Sequence, residues 1–301
     1  KPVRYQEGNY NDRASVPLVF FGETMPSLFN IFAWLGVLGR MSRQVKQDYD
    51  YDVVVVELGT DGPGQMADFA YIQPDITVLS AISPEHMLQF GTIDAVASEE
   101  LEVSSYSWQL LVNVADVDAK YLDGISYKSY GVGQPADYQA EVIGSHGVVG
   151  QQLLIKSADG EDFQVSTDYG GRQGATIVLA AVAVAKMLSI DDEAIVSAVA
   201  DLRPFAGRLQ ILEGINGSTI IDDTYNSSPL ATKAALDLLY ATDAQQKIAI
   251  LGDMNELGDS SVQEHRDLGT YCRADQLDYV VTIGAKSRDD LAPAAKDVGC
   301  Q

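Results

Sequence analysis

Two cysteines in 301 residues, Cys272 and Cys300, are too few and too unpatterned for a disulfide framework or a metal site. They fit a reducing compartment, so a cytoplasmic location is expected. Basic residues are scarce as well: 20 Lys and Arg stand against 43 Asp and Glu, a net charge of −23. That balance excludes nucleic acid and anionic membrane surfaces as partners, since both need basic patches. The acidity fits a salt-adapted host or ordinary solubility and points to no chemistry. Long apolar runs are missing too. The longest, residues 28–41, is interrupted by Asn30, Gly36, Gly39 and Arg40, is too short to cross a bilayer, and reads as a buried helix. No signal peptide is visible, and no stable membrane insertion is expected. Finally, no stretch reads Gly-x-x-Gly-Lys-Thr or -Ser, the loop whose backbone N–H groups and lysine cradle nucleotide phosphates.

What is present is the pattern of a wound α/β protein, 46% hydrophobic and long enough for two cores. Residues 53–56, 76–79 and 109–113 are short apolar runs of the kind found in buried parallel strands, separated by helix-length segments. From residue 140 to 168 the pattern changes. Two strand-like runs flank Ala158-Asp-Gly160, a hairpin signal, so an antiparallel patch is expected beside the parallel sheet. Residues 175–188 and 191–202 have helical spacing, and Pro204 ends the second. A domain boundary is placed there, giving domains at 1–204 and 205–301. In the second domain, strand-like runs at 218–221, 248–251 and 279–283 alternate with helices at 230–240 and 262–272, a partial Rossmann-like unit.

The chemistry concentrates where strands end. Asp222-Asp-Thr-Tyr-Asn-Ser-Ser-Pro229 follows the run at 218–221 and precedes a helix, the place where α/β folds set polar groups at a ligand crevice. Gly207-Arg208-Leu209 lies upstream; Leu251-Gly-Asp-Met-Asn-Glu-Leu-Gly258 and His265 lie downstream. Glu57 closes the run 53–56 within Val56-Glu-Leu-Gly-Thr-Asp-Gly, and His86 follows the next strand within Ile82-Ser-Pro-Glu-His-Met-Leu-Gln-Phe-Gly91. Taken alone, Glu57 reads as a solvated strand-end residue and His86 as a surface or packing residue.

Together these segments resemble the Mur ligases. The Asp-Asp-x-Tyr-Asn-x-x-Pro form is most similar to the branch that joins D-alanyl-D-alanine to a UDP-muramoyl tripeptide. The resemblance implies ATP and Mg²⁺ as cofactors, with Glu57 and His86 as metal ligands. It makes Arg208 and Asp223 nucleotide contacts, an arginine fork being suited to phosphate oxygens and an aspartate to ribose hydroxyls. Tyr225 and Asn226 share that loop, and Asn9 lies in Gly8-Asn-Tyr-Asn-Asp12, which is similar to a family loop near the nucleotide. Glu100 stands where the family carries a lysine, typically carbamylated, so the glutamate would supply a negative charge near the metal without CO₂. Equally, Glu99, Glu100 and Glu102 form an acidic helix face. Other departures are Asp12, Ser15, Gln65, Ala81, Gln173 and Ile177, the last in place of an asparagine that contacts adenine.

The expected fold is therefore the α/β central domain of a Mur ligase plus a partial Rossmann-like C-terminal domain. The expected activity is ATP-dependent amide bond formation through an acyl phosphate, in a monomer. Catalytic roles fall to Glu57, His86 and Arg208. The alternatives are another amino-acid ligase of the family, or a non-catalytic nucleotide-binding homologue. The chain reads as a fragment lacking the phosphate loop and the sugar-binding domain, and alone it is expected to be inactive.

Overall fold

A computed structural model of the chain describes residues 1–6, 8–158 and 160–301. It divides into two compact units, residues 1–73 and 74–301. The boundary read from Pro204 remains a sequence expectation.

In the first unit, β1 (Val3–Tyr5) and β2 (Val53–Val55) pair in parallel, Val3 opposite Val53. Helix α1 (Val16–Phe21) starts with a proline in its first turn and stops at Gly22, whose left-handed backbone returns its N–H to the last carbonyls. It buries Val16, Leu18 and Val19. Helix α2 (Ile31–Gln44) is capped by Asn30, which accepts the Ala33 N–H at 3.0 Å. Arg40 on this helix forks onto Glu23 with bonds of 2.8 and 2.6 Å. The expectation of a buried helix here is overturned. Only Val37 is buried, whereas Phe29 is 97% and Phe32 82% exposed. Apolar content records what a helix could bury; it does not supply the surface that covers it.

The second unit is built on a six-stranded sheet in the order β3 (Ile76–Leu79), β4 (Gln109–Asn113), β5 (Lys128–Val132), β6 (Tyr138–Ser145), β7 (Gln151–Ser157), β8 (Phe163–Thr167). The first four strands run parallel, and β6–β7–β8 are antiparallel, as the change of pattern near residue 140 requires. The hairpin turn at residues 158–160 includes residue 159, which lies outside the described residues. Helix α5 (Gly171–Met187) packs on this sheet through Ala175, Val178, Leu179, Val182 and Ala183, a three-four spacing that makes one continuous apolar stripe. Against it lie Leu111, Tyr130, Leu153, Ile155 and Val165 from the strands, and Ile195 and Val199 from α6 (Asp192–Asp201).

A second core lies further along the chain. Strands β11 (Ile248–Gly252) and β12 (Tyr279–Ile283) pair in parallel, with α7 (Pro229–Ala241), α8 (Ser261–Tyr271) and α9 (Ala292–Asp297) around them. Leu236, Leu251, Met254, Leu257, Leu268 and Leu291 fill it, together with both cysteines. Both thiols are free, and burial, then its neighbour Cys300, pushes Cys272 up to about 12. The run at 218–221 forms a strand, β10 (Thr219–Asp222), but its partner is β9 (Gln210–Glu213), antiparallel, which the sequence did not suggest. Among the described residues, no helix is long and apolar enough to cross a membrane.

Candidate active site

In the first unit, Glu57 stands two residues beyond β2, where the chain leaves the strand pair. Its backbone N–H donates to the Gln6 side chain at 3.0 Å, and its Oε1 accepts the Asn11 amide at 3.2 Å. Its second carboxylate oxygen has no partner among the described residues. Gly59 makes this fit possible: an added Cβ would come within 2.8 Å of the Asn11 amide nitrogen, and the Gly59 N–H donates to the Asn11 carbonyl at 2.7 Å. Asn9 is exposed on the same loop. Asn11, absent from the residues singled out by sequence, is the one that touches the carboxylate; the Asn-x-Asn pattern was its only signal.

In the second unit, the loop after β3 carries His86, in left-handed backbone (φ 49°) before the short helix α3 (Met87–Phe90). The root of this loop is tied to the neighbouring strand. Asn113, 1% exposed at the end of β4, donates to the Ser80 carbonyl at 2.9 Å and to Asp116 at 2.7 Å. The Ile82 N–H donates to the Asp116 carbonyl at 3.1 Å. Asn113 thus supplies a polar tether beside Ala81, a role invisible in a run that reads simply as a strand. The His86 Nδ1 lies 2.6 Å from Glu256 Oε2.

Glu100 sits on α4 (Ile93–Leu101), which Thr92 caps by accepting the Ala95 N–H at 3.2 Å. Glu99 is buried and Glu100 half-buried, whereas Glu102 is exposed, so the three do not form one solvated face. Burial first, then the charges of Glu85 and Glu99, push Glu100 up to about 7. Tyr106, beside the same carboxylates, is pushed up to about 12, again by burial first. Among the described residues, no three His, Cys, Asp or Glu side chains stand close enough to hold a metal as they are.

Residues 207–209 and 223–225 form one cluster. Gly207 (φ 70°) accepts the Tyr225 N–H at 3.1 Å, and a Cβ there would lie 3.1 Å from that nitrogen. Leu209 donates its N–H to Asp223 Oδ1 at 3.0 Å. The Arg208 guanidinium lies over the Tyr225 ring, 4.2 Å from its centroid. Burial raises the Asp223 carboxyl, opposed by the Leu209 N–H and by Arg208, and its Oδ2 has no partner among the described residues. An exposed guanidinium held flat beside a half-buried acceptor is suited to a phosphate and a hydroxyl presented together. Asn226 is exposed on the same loop and makes no side-chain bond among the described residues.

Residues 253–258 follow β11. Met254 and Leu257 are buried, and His265, wholly buried on α8, accepts the Met254 N–H at Nε2 (3.0 Å) and bonds the Ser261 carbonyl through Nδ1 (2.7 Å). This fixes the His265 tautomer and explains the residue as a brace for the turn. Asp253 accepts the Ser287 N–H at 2.7 Å; burial pushes its carboxyl up, but the backbone donors of Ser287 and Lys286 outweigh this and hold it below its usual value. Elsewhere, a cleft of about 430 Å³ lined by Gln109, Lys128, Tyr138, Lys186 and Asp191 opens at the amino ends of β4–β6. Ligands of open α/β sheets take the carboxyl ends, so this cleft is apart from the site.

Known proteins share these segments. Residues 28–185 match the Mur ligase middle domain and residues 207–300 the glutamate ligase domain of Mur ligases. The UDP-N-acetylmuramoyl-tripeptide–D-alanyl-D-alanine ligase of Bacillus subtilis is 28% identical over 238 residues, 77% of this chain and 51% of that protein. The Haemophilus influenzae ligase of the same name is 26% identical over 290 residues, 95% and 58% respectively. The crystal structure of MurF from Acinetobacter baumannii superposes with a TM-score of 0.77 at 25% identity, over 99% of this chain and 60% of that one. MurF from Thermotoga maritima in complex with ADP, at 22% identity and a TM-score of 0.75, shares the fold. The chain thus spans about half to three-fifths of the length of these relatives. With both domain families matched in order along its length, this chain belongs to the Mur ligase family.

Proposed function

We propose that the protein takes part in joining D-alanyl-D-alanine to UDP-N-acetylmuramoyl-tripeptide at the expense of ATP, in the cytoplasm and as a monomer. The observation that carries this reading is the cluster of Arg208, Asp223 and Tyr225 on the loop Asp222-Asp-Thr-Tyr-Asn-Ser-Ser-Pro229, in a chain whose named relatives are ligases of that kind. In the reaction, a carboxylate oxygen of the tripeptide attacks the γ-phosphorus of ATP and ADP leaves. The dipeptide amine then attacks the acyl carbon of the resulting acyl phosphate, losing a proton as inorganic phosphate departs.

Arg208 holds phosphate oxygens through its planar donor fork, and Asp223 accepts a ribose hydroxyl at Oδ2. Tyr225 keeps the guanidinium flat, and Asn226 and Asn9 offer further nucleotide contacts. Glu57 is proposed as a magnesium ligand on the first unit, its open oxygen being a hard donor of the type the ion prefers. On the second unit, His86 and Glu100 are proposed in the same role, each by itself. Glu100 fits because a carboxyl titrating near 7 ionises readily when a cation approaches. Magnesium, when bound, offsets negative charge on the transferring phosphoryl group.

The test is ADP release by the protein expressed from its whole reading frame, with the tripeptide nucleotide and the dipeptide omitted in turn. Release that requires both supports the reading. Release with a single amino acid in place of the dipeptide supports a sister ligase. Nucleotide binding without turnover supports a non-catalytic homologue, a role consistent with the exposed Ile177 on α5.

A further inference from the structure

His86 and Glu256 meet across 170 residues of sequence, His86 Nδ1 lying 2.6 Å from Glu256 Oε2. Both residues hold left-handed backbone, φ 49° and 63°. Such conformations are strained outside glycine. The pair itself is partly open to solvent, 30% and 58% at the two side chains, and ion pairs in contact with solvent contribute little. A gain in stability is therefore a poor account of why two strained residues are held together here.

The surroundings force the meeting. Gly258 (φ 53°) lies against the backbone of α3, where a Cβ would stand 3.0 Å from Leu88 N and 3.2 Å from Met87 C. Met254 and Leu257 are anchored in the core, and His265 holds the Met254 N–H. Glu256 is thus delivered to His86 from a rigid base. A histidine that ligates a metal through one nitrogen commonly donates its other N–H to a carboxylate, which fixes the tautomer and raises the basicity of the ligating nitrogen.

We propose that Glu256 is a positioning residue for His86: by accepting the Nδ1–H it makes Nε2 the lone-pair nitrogen that meets a divalent cation, coupling the turn at 253–258 to that ligand. This rests on the reading of His86 as a metal ligand. The segment Asp253-Met-Asn-Glu-Leu-Gly258 then has a role, because its glycine, its buried apolar residues and its histidine brace all serve to place one carboxylate.

The experiment uses the ¹⁵N-histidine-labelled protein at pH 8, with Mn²⁺ alone as the probe. Among the three histidines, His86 is assigned by its loss in His86→Gln. In the wild type the His86 ring is expected in the Nδ1–H tautomer and to broaden on Mn²⁺ addition. Glu256→Ala is expected to mix the tautomers and to need about 10–100-fold more Mn²⁺ for the same broadening. Glu256→Gln, which keeps an acceptor oxygen, is expected to restore the tautomer. An unchanged His265 signal verifies that the turn remains folded. Wild-type broadening with an unchanged tautomer or unchanged Mn²⁺ dependence in Glu256→Ala overturns the proposal alone. Absence of Mn²⁺ broadening in the wild type overturns the metal role of His86, and the proposal with it.

Discussion

Glu100 shows how much one side chain's setting can alter what its type implies. Its carboxyl titrates near 7 in the folded chain, against 4.5 when unperturbed, because burial and the Glu85 and Glu99 charges oppose ionisation. Below about 4.5 the group is protonated in both states and carries no penalty. As pH rises toward 7 the unfolded chain releases the proton first, so stability falls, by of order 3 kcal/mol in all. Glu100→Gln lacks this contribution. In metal-free protein its urea midpoint should therefore gain on wild type between pH 5 and pH 8; a constant difference across that range refutes the shift. Arg208 offers a second test. Arg208→Lys keeps the charge but loses the planar fork and its seat on Tyr225, so nucleotide affinity is expected to fall about tenfold or more, measured by calorimetric titration. The candidate residues Glu57, Arg208 and Asp223 could be singled out because each lies in a contiguous motif. Asn11, Asn113 and Glu256 were not, since each acts on a partner reached only by folding, two of them 33 and 170 positions away.

Regular elements were read best where one pattern decides them. The runs at 76–79 and 109–113 are strands with those bounds, because short runs dominated by aliphatic residues suit a parallel sheet. The antiparallel hairpin followed from its turn signal, and α5 from helical spacing, although the helix begins at Gly171 rather than Ala175. Strand β9 was missed: its four residues, Gln210–Glu213, carry no distinguishing alternation, and only the pairing with β10 makes them a strand. Helix α5 supplies a sharp contrast for measurement. Leu179 is fully buried in the sheet-facing stripe, whereas Ile177, two positions earlier, is 43% exposed. Leu179→Ala should lose about 2–5 kcal/mol in chemical denaturation. Ile177→Ala should stay within about 1 kcal/mol of wild type. Equal losses at the two positions would mean the helix is rotated from the orientation described.

For the whole molecule, the excess of carboxylates is the dominant fact, and it was fully legible, charge being additive over the sequence. Its structural effect is self-repulsion, which salt screens: the Debye length falls from about 30 Å at 0.01 M to about 3 Å at 1 M. The thermal midpoint is expected to rise as NaCl increases across that range. A midpoint that falls instead would show that the nearby ion pairs, such as Arg40–Glu23, outweigh the net charge. The exposure of α2 shows the limit of bulk properties, because hydrophobicity is counted over a segment while burial requires a specific neighbour.

The placement of Cys272 and Cys300 gives the molecule an internal timer. No other thiol exists in the chain, and both lie in the core shared by α7, α8, α9 and the β11–β12 pair. A thiolate is the reactive form, and burial holds both groups well above neutral pH. Modification by an aromatic disulfide reagent must therefore wait for that core to open, and the rate of colour release measures the frequency of opening. At low denaturant, both thiols should react with a single time constant that lengthens when nucleotide occupies Arg208 and Asp223. One thiol reacting at once, as fast as in the unfolded chain, would mean that the end of the chain frays independently of the core it closes.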